Sequence, residues 1–136
     1  SVTENRLATI STPAGSRLIG TAVEQASAPL TAGPAKGSTV RISLAEQVTY
    51  VNGSGPWTAI LTLTFPDGSQ LIGSVAGATV PAGDGGATFA GTVQVLGGTG
   101  AYAGATGGTG TYTGGRTGAL GDTALPTTIS LRVSGI

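Results

Sequence analysis

Few residues in this chain can move a proton, and one of them stands where a carboxylate is costly. Glu46 shares its strand parity with Val40, Ile42, Leu44, Val48 and Tyr50, opposite Arg41, Ser43, Gln47 and Thr49. A charged carboxylate on an apolar strand face costs on the order of several kcal/mol unless it is paired or protonated. Glu46 therefore has the profile of a general acid or base. The plainer reading is a bulge that flips the parity, or a position near a barrel mouth where Glu46 meets water. Glu24 stands at a similar place at the end of another segment, although Leu18, Gly20 and Ala22 against Ile19, Thr21 and Val23 leave its facing undecided. Tyr50 and Tyr112 carry hydroxyls that need partners when buried and can orient a substrate carbonyl. Trp57, Leu61, Phe65 and Phe89 fall on the apolar parity of their segments, as candidate walls of a substrate pocket or as ordinary core filling. Arg41 and Arg132 alternate with apolar neighbours and read as solvent-facing.

What the chain lacks narrows the chemistry further. Its 136 residues include no Cys, His or Met, which removes disulfides, thiol nucleophiles, the common metal ligands and the usual neutral-pH proton shuttle. Catalysis here must use carboxylates, hydroxyls, Lys or Arg, with no cofactor required. Six basic residues balance six acidic ones, so no basic footprint for nucleic acid is present. No apolar run approaches the ~18 residues that would cross a bilayer as a helix. Ser1 opens the chain without a Met, which fits a removed export signal or a trimmed start; low charge and abundant Gly, Ala and Thr fit a secreted protein, with the cytoplasm as the other location.

The elements that must hold these residues are strands. Twenty-five Gly and seven Pro are too many for helices, and the apolar period is two rather than 3.6. Eight strands are expected: Arg6 to Ser11, Arg17 to Gln25, Val40 to Tyr50, Trp57 to Phe65, Gln70 to Ala76, Thr88 to Val95, Gly108 to Thr113, and Ile129 to Val133. Asn52-Gly53-Ser54-Gly55-Pro56 suits a hairpin turn, and its match to a glycosylation sequon needs no further role. Pro66-Asp67-Gly68 suits another turn, and residues 81–86 form a loop. Ala26 to Gly37 lacks periodicity and reads as a long loop over one mouth. With one apolar face per strand and no linker, the chain reads as one domain over residues 1–136, all-β, with an eight-stranded antiparallel barrel favoured over a sandwich.

Phe89 to Gly114, FAGTVQVLGGTGAYAGATGGTGTYTG, resembles the signature hairpin of the allene oxide cyclase and dirigent protein superfamily, in which a strand ends in a G-G-T-G-x-[FY]-x-G-A-x-G turn. Gly97, Gly98, Thr99, Gly100, Tyr102, Gly104, Ala105 and Gly107 fill that pattern, and Tyr102 reads as packing the hairpin. A dinucleotide-binding G-x-G-x-x-G fails as the rival, because its third Gly is missing and no βαβ unit follows. The resemblance implies a calycin-like barrel that often oligomerises, with an interior in which a reactive molecule is held while it cyclises or couples. Plant members of the superfamily place a carboxylate in the first strand, for which the nearest residue here is Glu4. Dirigent proteins line the pocket with several Asp and Arg, of which this chain has few.

Holding a flexible molecule near its reacting geometry lowers a cyclisation barrier with no metal or nicotinamide, as an entropy trap. The leading expectation is therefore a cofactor-independent cyclase or isomerase that takes an apolar small molecule, with Glu46 and Tyr112 as its catalytic pair and Tyr50, Trp57, Leu61, Phe65, Phe89 and Glu24 around the substrate. Two readings stand beside it: a secreted lipocalin-like binding protein without turnover, and a solidly packed interaction domain.

Overall fold

Eight strands form, in chain order and without crossover, a single antiparallel sheet in this computed structural model. The structure describes residues 2–83, 85–117 and 125–136, with side chains described from Arg6 onward. The strands are β1 (Val2–Thr12), β2 (Gly15–Pro29), β3 (Thr39–Val51), β4 (Gly55–Thr64), β5 (Gln70–Pro81), β6 (Ala87–Thr99), β7 (Gly107–Arg116) and β8 (Thr127–Ser134). One short 3-10 turn, Gly100–Tyr102, interrupts the β6 to β7 connection. No helix among the described residues is long and apolar enough to cross a membrane.

All eight expected strands form, and most run longer than their apolar pattern. Ala26 to Pro29, read from sequence as part of a long loop, continues β2 and pairs with Thr39 to Ile42. The ladder ends where Pro29 has no N–H to donate. The loop that remains, residues 30–38, is tied at its base by Leu30 N–H to Ser38 O at 2.9 Å and Gly37 N–H to Leu30 O at 2.9 Å. Asn52 and Gly53 take positive φ angles of 52° and 79°, the paired left-handed conformation of a tight hairpin. Gly55 and Pro56, expected in that turn, belong to β4. In the connection between β5 and β6, Asp84 lies outside the described residues.

The two-residue period is realised along the whole sheet. Leu18, Val40, Leu44, Val48, Trp57, Leu61, Leu63, Leu71, Val75, Val93, Val95 and Tyr112 share one buried face. Ile60, which breaks the alternation of β4, lies on the other face and is 47% exposed. One apolar face on one sheet must be covered, and the sheet covers it by rolling. The Tyr112 hydroxyl on β7 lies 3.2 Å from Glu24 Oε2 on β2. In a flat sheet, strands five places apart would stand roughly 24 Å apart at ~4.8 Å per strand. The rolled sheet is not closed by hydrogen bonds: the ladders run from β1 to β8, and none joins those two edges among the described residues.

The glycine-rich hairpin has a packing role that its composition alone does not reveal. Ser69 donates through its hydroxyl to Asp67 Oδ2 at 2.8 Å, and its Oγ accepts the N–H of Ala101 at 2.9 Å. Tyr102 lies against Phe65 with ring centroids 4.3 Å apart. The turn after β6 is thereby docked onto the turn after β4, and a Cβ at Gly98 would stand 2.6 Å from the Gln70 carbonyl oxygen.

Trp57 crosses the inner face over two glycines of neighbouring strands, Gly77 on β5 and Gly91 on β6. A Cβ at Gly77 would lie 2.5 Å from both the Ala90 carbonyl oxygen and Trp57 Cζ2, whereas one at Gly83 would meet no atom within 4 Å. Gly77→Ala is expected to lose about 1–3 kcal/mol of stability through overpacking, and Gly83→Ala under about 0.5 kcal/mol. Urea unfolding followed by the fluorescence of Trp57, the single tryptophan, checks both values.

Candidate functional site

The inner face is apolar except for one band, which the middle strands and β7 supply. On β2 the inward parity is Leu18, Gly20, Ala22 and Glu24, which settles the facing of Glu24. On β3 it is Leu44, Glu46, Val48 and Tyr50. Ala22 pairs with Glu46 and Glu24 with Leu44, so the two glutamates are diagonal neighbours on one face. No bulge interrupts the β2 to β3 ladder, and Glu46 keeps the parity read from its sequence.

Two tyrosines reach this band from opposite sides. Tyr112 stands inward on β7, opposite Gly91 of β6, and donates its hydroxyl to Glu24. Tyr50 forms a 2.9 Å hydrogen bond with the Thr79 hydroxyl of β5, spanning over β4. Trp57 meets Tyr112 edge to face with centroids 5.4 Å apart, an arrangement that aromatic quadrupoles favour. Trp57 is 3% exposed, yet its Nε1–H has no hydrogen-bond partner.

These neighbours shift the acids in ways that have separate causes. Burial, followed by the charge of Glu24, pushes the Glu46 carboxyl up to about 7. Burial also raises Glu24, while the hydrogen bond from Tyr112 favours its charged form and opposes the rise. Tyr112 is driven well above a phenol's ordinary value by burial first and the Glu24 charge second, so it remains a donor. Tyr50 is raised chiefly by burial, with Thr79 and the more distant Arg116 opposing. The band therefore holds one carboxyl that accepts from a phenol and one, shifted to about 7, that is poised between its two forms near neutral pH.

The expected site residues do not all converge. Glu46, Glu24, Tyr112, Tyr50 and Trp57 form the band, and Leu61, 1% exposed opposite Leu44, floors it as core. Phe89 is half-buried on β6, level with Thr79 and Gly114. Phe65 is placed elsewhere: it packs on Tyr102 where the β4 and β6 turns meet. Arg41 and Arg132 are exposed, as their alternation implies, and the side chain of Glu4 lies outside the described residues. Thr79 and Arg116 were not anticipated from sequence. Each continues an inward parity, Val75-Gly77-Thr79 on β5 and Tyr112-Gly114-Arg116 on β7, past the end of the apolar pattern. Among the described residues no group of three or more His, Cys, Asp or Glu side chains gathers as a metal site. An open groove of about 430 Å³ lies apart from the band, lined by Gln25, Ala26, Ser27, Arg41, Ile42, Ser43 and Thr64, and holds no acid.

The raised carboxyl ties stability to pH. Glu46 binds its proton more tightly folded than unfolded, so its contribution is complete below about 4.5 and is lost as pH rises through about 7. Urea unfolding is expected to show the wild type about 2 kcal/mol less stable at about pH 8 than at about pH 5. Glu46→Gln, which keeps the shape and removes the titration, is expected to flatten most of that difference.

No family model matches this chain, and neither a curated protein nor a solved structure matches it.

Proposed function

We propose that the rolled sheet closes over its inner face as a barrel and acts as a cofactor-independent cyclase or isomerase on an apolar small molecule. The observation that carries this reading is the pair of inner-face glutamates with unlike surroundings, one held by Tyr112 and the other shifted to about 7. Two carboxyl groups whose environments separate their proton affinities are the arrangement by which one site supplies both an acid and a base.

The assignment follows from those surroundings. Glu46, partly protonated near neutrality, is the general acid; Glu24, oriented by the Tyr112 hydroxyl, which favours its charged form, is the base. Glu46 gives its proton to the reacting end of the substrate as a ring bond forms, and Glu24 takes the proton released by the internal nucleophile. The sum is an isomerisation: atoms and electrons balance with no oxidant. Passage of the proton from Glu24 back to Glu46, its diagonal neighbour, resets the site. Tyr112 acts through Glu24 and is a positioning residue. The remaining inner face, chiefly Val, Leu and aromatic side chains, supports the choice of an apolar substrate and its confinement near the reacting geometry. The similarity of the Gly97 to Gly107 turn to that of the allene oxide cyclase and dirigent superfamily supports the same reading.

A binding protein without turnover is the second reading. It is favoured by the fact that both inner tyrosine hydroxyls are already engaged, with Thr79 and with Glu24.

Native mass spectrometry of the protein isolated from the cells that make it, before and after denaturation, tests the common part. A released apolar compound supports both readings, and an empty interior that also excludes apolar dyes removes both. The precursor of any compound found then separates them. The enzyme reading expects Glu46→Gln to lower kcat about 10²–10³-fold with KM nearly unchanged. It also expects wild-type turnover to fall as pH rises through about 7, because the protonated form of Glu46 is the active one. Conversion by the wild type no faster than without protein would leave the binding protein, and equal catalysed turnover by wild type and variant would remove Glu46 as the acid.

A further inference from the structure

We propose that the inner-face band selects a neutral ligand with an oxygen acceptor, such as a ketone, ether or epoxide oxygen, and that Trp57 Nε1–H donates to that oxygen. The inference rests on the small-molecule reading above and names the class of molecule it would take.

Trp57 Nε1 is a buried donor without an acceptor, on a side chain 3% exposed. A buried donor left unpaired forfeits its hydration, and folded proteins rarely leave one so. Its place on the inner face is fixed by its neighbours. Trp57 pairs with Val48 and Gly77, two residues along the inward faces from Glu46 and from Thr79 respectively. The ring meets Tyr112, whose hydroxyl is on Glu24. Cε2, the ring atom that carries Nε1, stands over Gly77, where no side chain rises from the strand. Of the band's acceptors, Thr79 is engaged with Tyr50 and Glu24 Oε2 with Tyr112, and neither these nor Glu46 accepts from the indole. The indole N–H therefore lies on the inner face beside the polar band and bonds to none of the protein's acceptors.

Charge decides what completes it. A carboxylate ligand would add a negative group beside Glu24 and Glu46, in surroundings that burial already makes unfavourable to charge. An ammonium ligand would suit the carboxylates and would set its donors against the indole donor, leaving Nε1 unpaired. A neutral carbonyl or ether oxygen accepts from Nε1 and leaves the second lone pair for the Glu46 carboxyl. Trp57 would then set which atom of the ligand lies against the acid, a specificity that shape alone does not provide.

The chain's single tryptophan makes the test direct, because the ¹⁵N-labelled protein has one indole N–H signal. The folded protein is loaded with the hydrocarbon dye diphenylhexatriene and titrated near neutral pH with 2-decanone, decane, decanoate and decylamine. We expect 2-decanone to displace the dye at about tenfold lower concentration than decane, the advantage of one hydrogen bond. It should also move the indole proton downfield, and both charged analogues should compete less well than the ketone. Trp57→Phe should lose the ketone's advantage over decane. Equal displacement by ketone and decane, an indole signal that stays in place, tighter binding of either charged analogue, or a ketone preference that survives in Trp57→Phe would each overturn the proposal. Any of these leaves apolar binding intact. Failure of the dye and of every probe to bind would overturn the small-molecule reading with it.

Discussion

A sheet with one apolar face has to hide that face, and the described residues include no α-helix or second sheet with which to do it. Most of the Val, Leu and aromatic side chains share one parity along their strands, with Val51, Val80 and Leu96 exposed on the other. The described residues form one sheet with only neighbour-to-neighbour ladders. Rolling is the remaining solution, and the other features follow from how tightly the sheet rolls. Trp57 can lie across β5 and β6 only because Gly77 and Gly91 stand beneath it. Tyr112 can reach Glu24 only because β7 and β2 have come round to face each other.

The same rolling creates the electrostatic problem at the centre of the molecule. Glu24 and Glu46 are carried inward by the alternation that carries Leu44 and Val48 inward, and a low-dielectric interior penalises both charges. The protein answers differently for each. Glu24 receives a phenol hydroxyl, which favours its charged form. Glu46 receives no such donor, and the nearby negative charge pushes it toward protonation. Two chemically identical side chains become an unlike pair by position alone. A packed core would gain nothing from this arrangement, since an apolar residue at either place would be cheaper to bury.

The glycine-rich connection after β6 contributes at a distance. Gly98, Gly100 and Tyr102 lock the β6 to β7 hairpin onto Asp67 and Ser69 in the turn after β4. That contact ties the strand bearing Tyr112 to the strand bearing Trp57 at the far end of the sheet from Tyr50. Residues whose composition suggests a flexible linker are in this way a clamp between two turns.

Period-two alternation in the sequence determined the number of strands, their order as hairpins, and the inward facing of Glu46, Tyr50, Trp57 and Tyr112. Those properties depend only on pleat geometry within a strand, which a linear pattern records. Strand ends were less legible: the weakly patterned Ala26 to Pro29 and Ala78 to Pro81 are held by ladder hydrogen bonds to partners, which no local pattern reports. The facing of Glu24 was likewise undecided, because Gly and Ala alternate there with residues no less apolar. Only the tertiary structure paired Tyr112 with Glu24, 88 residues apart, and Tyr50 with Thr79. Only it sent Phe65 to the turns instead of the band, and left the indole N–H of Trp57 without an acceptor. These facts depend on how far the sheet rolls and on which strands then face each other, quantities set by the twist and by glycines acting together across strands.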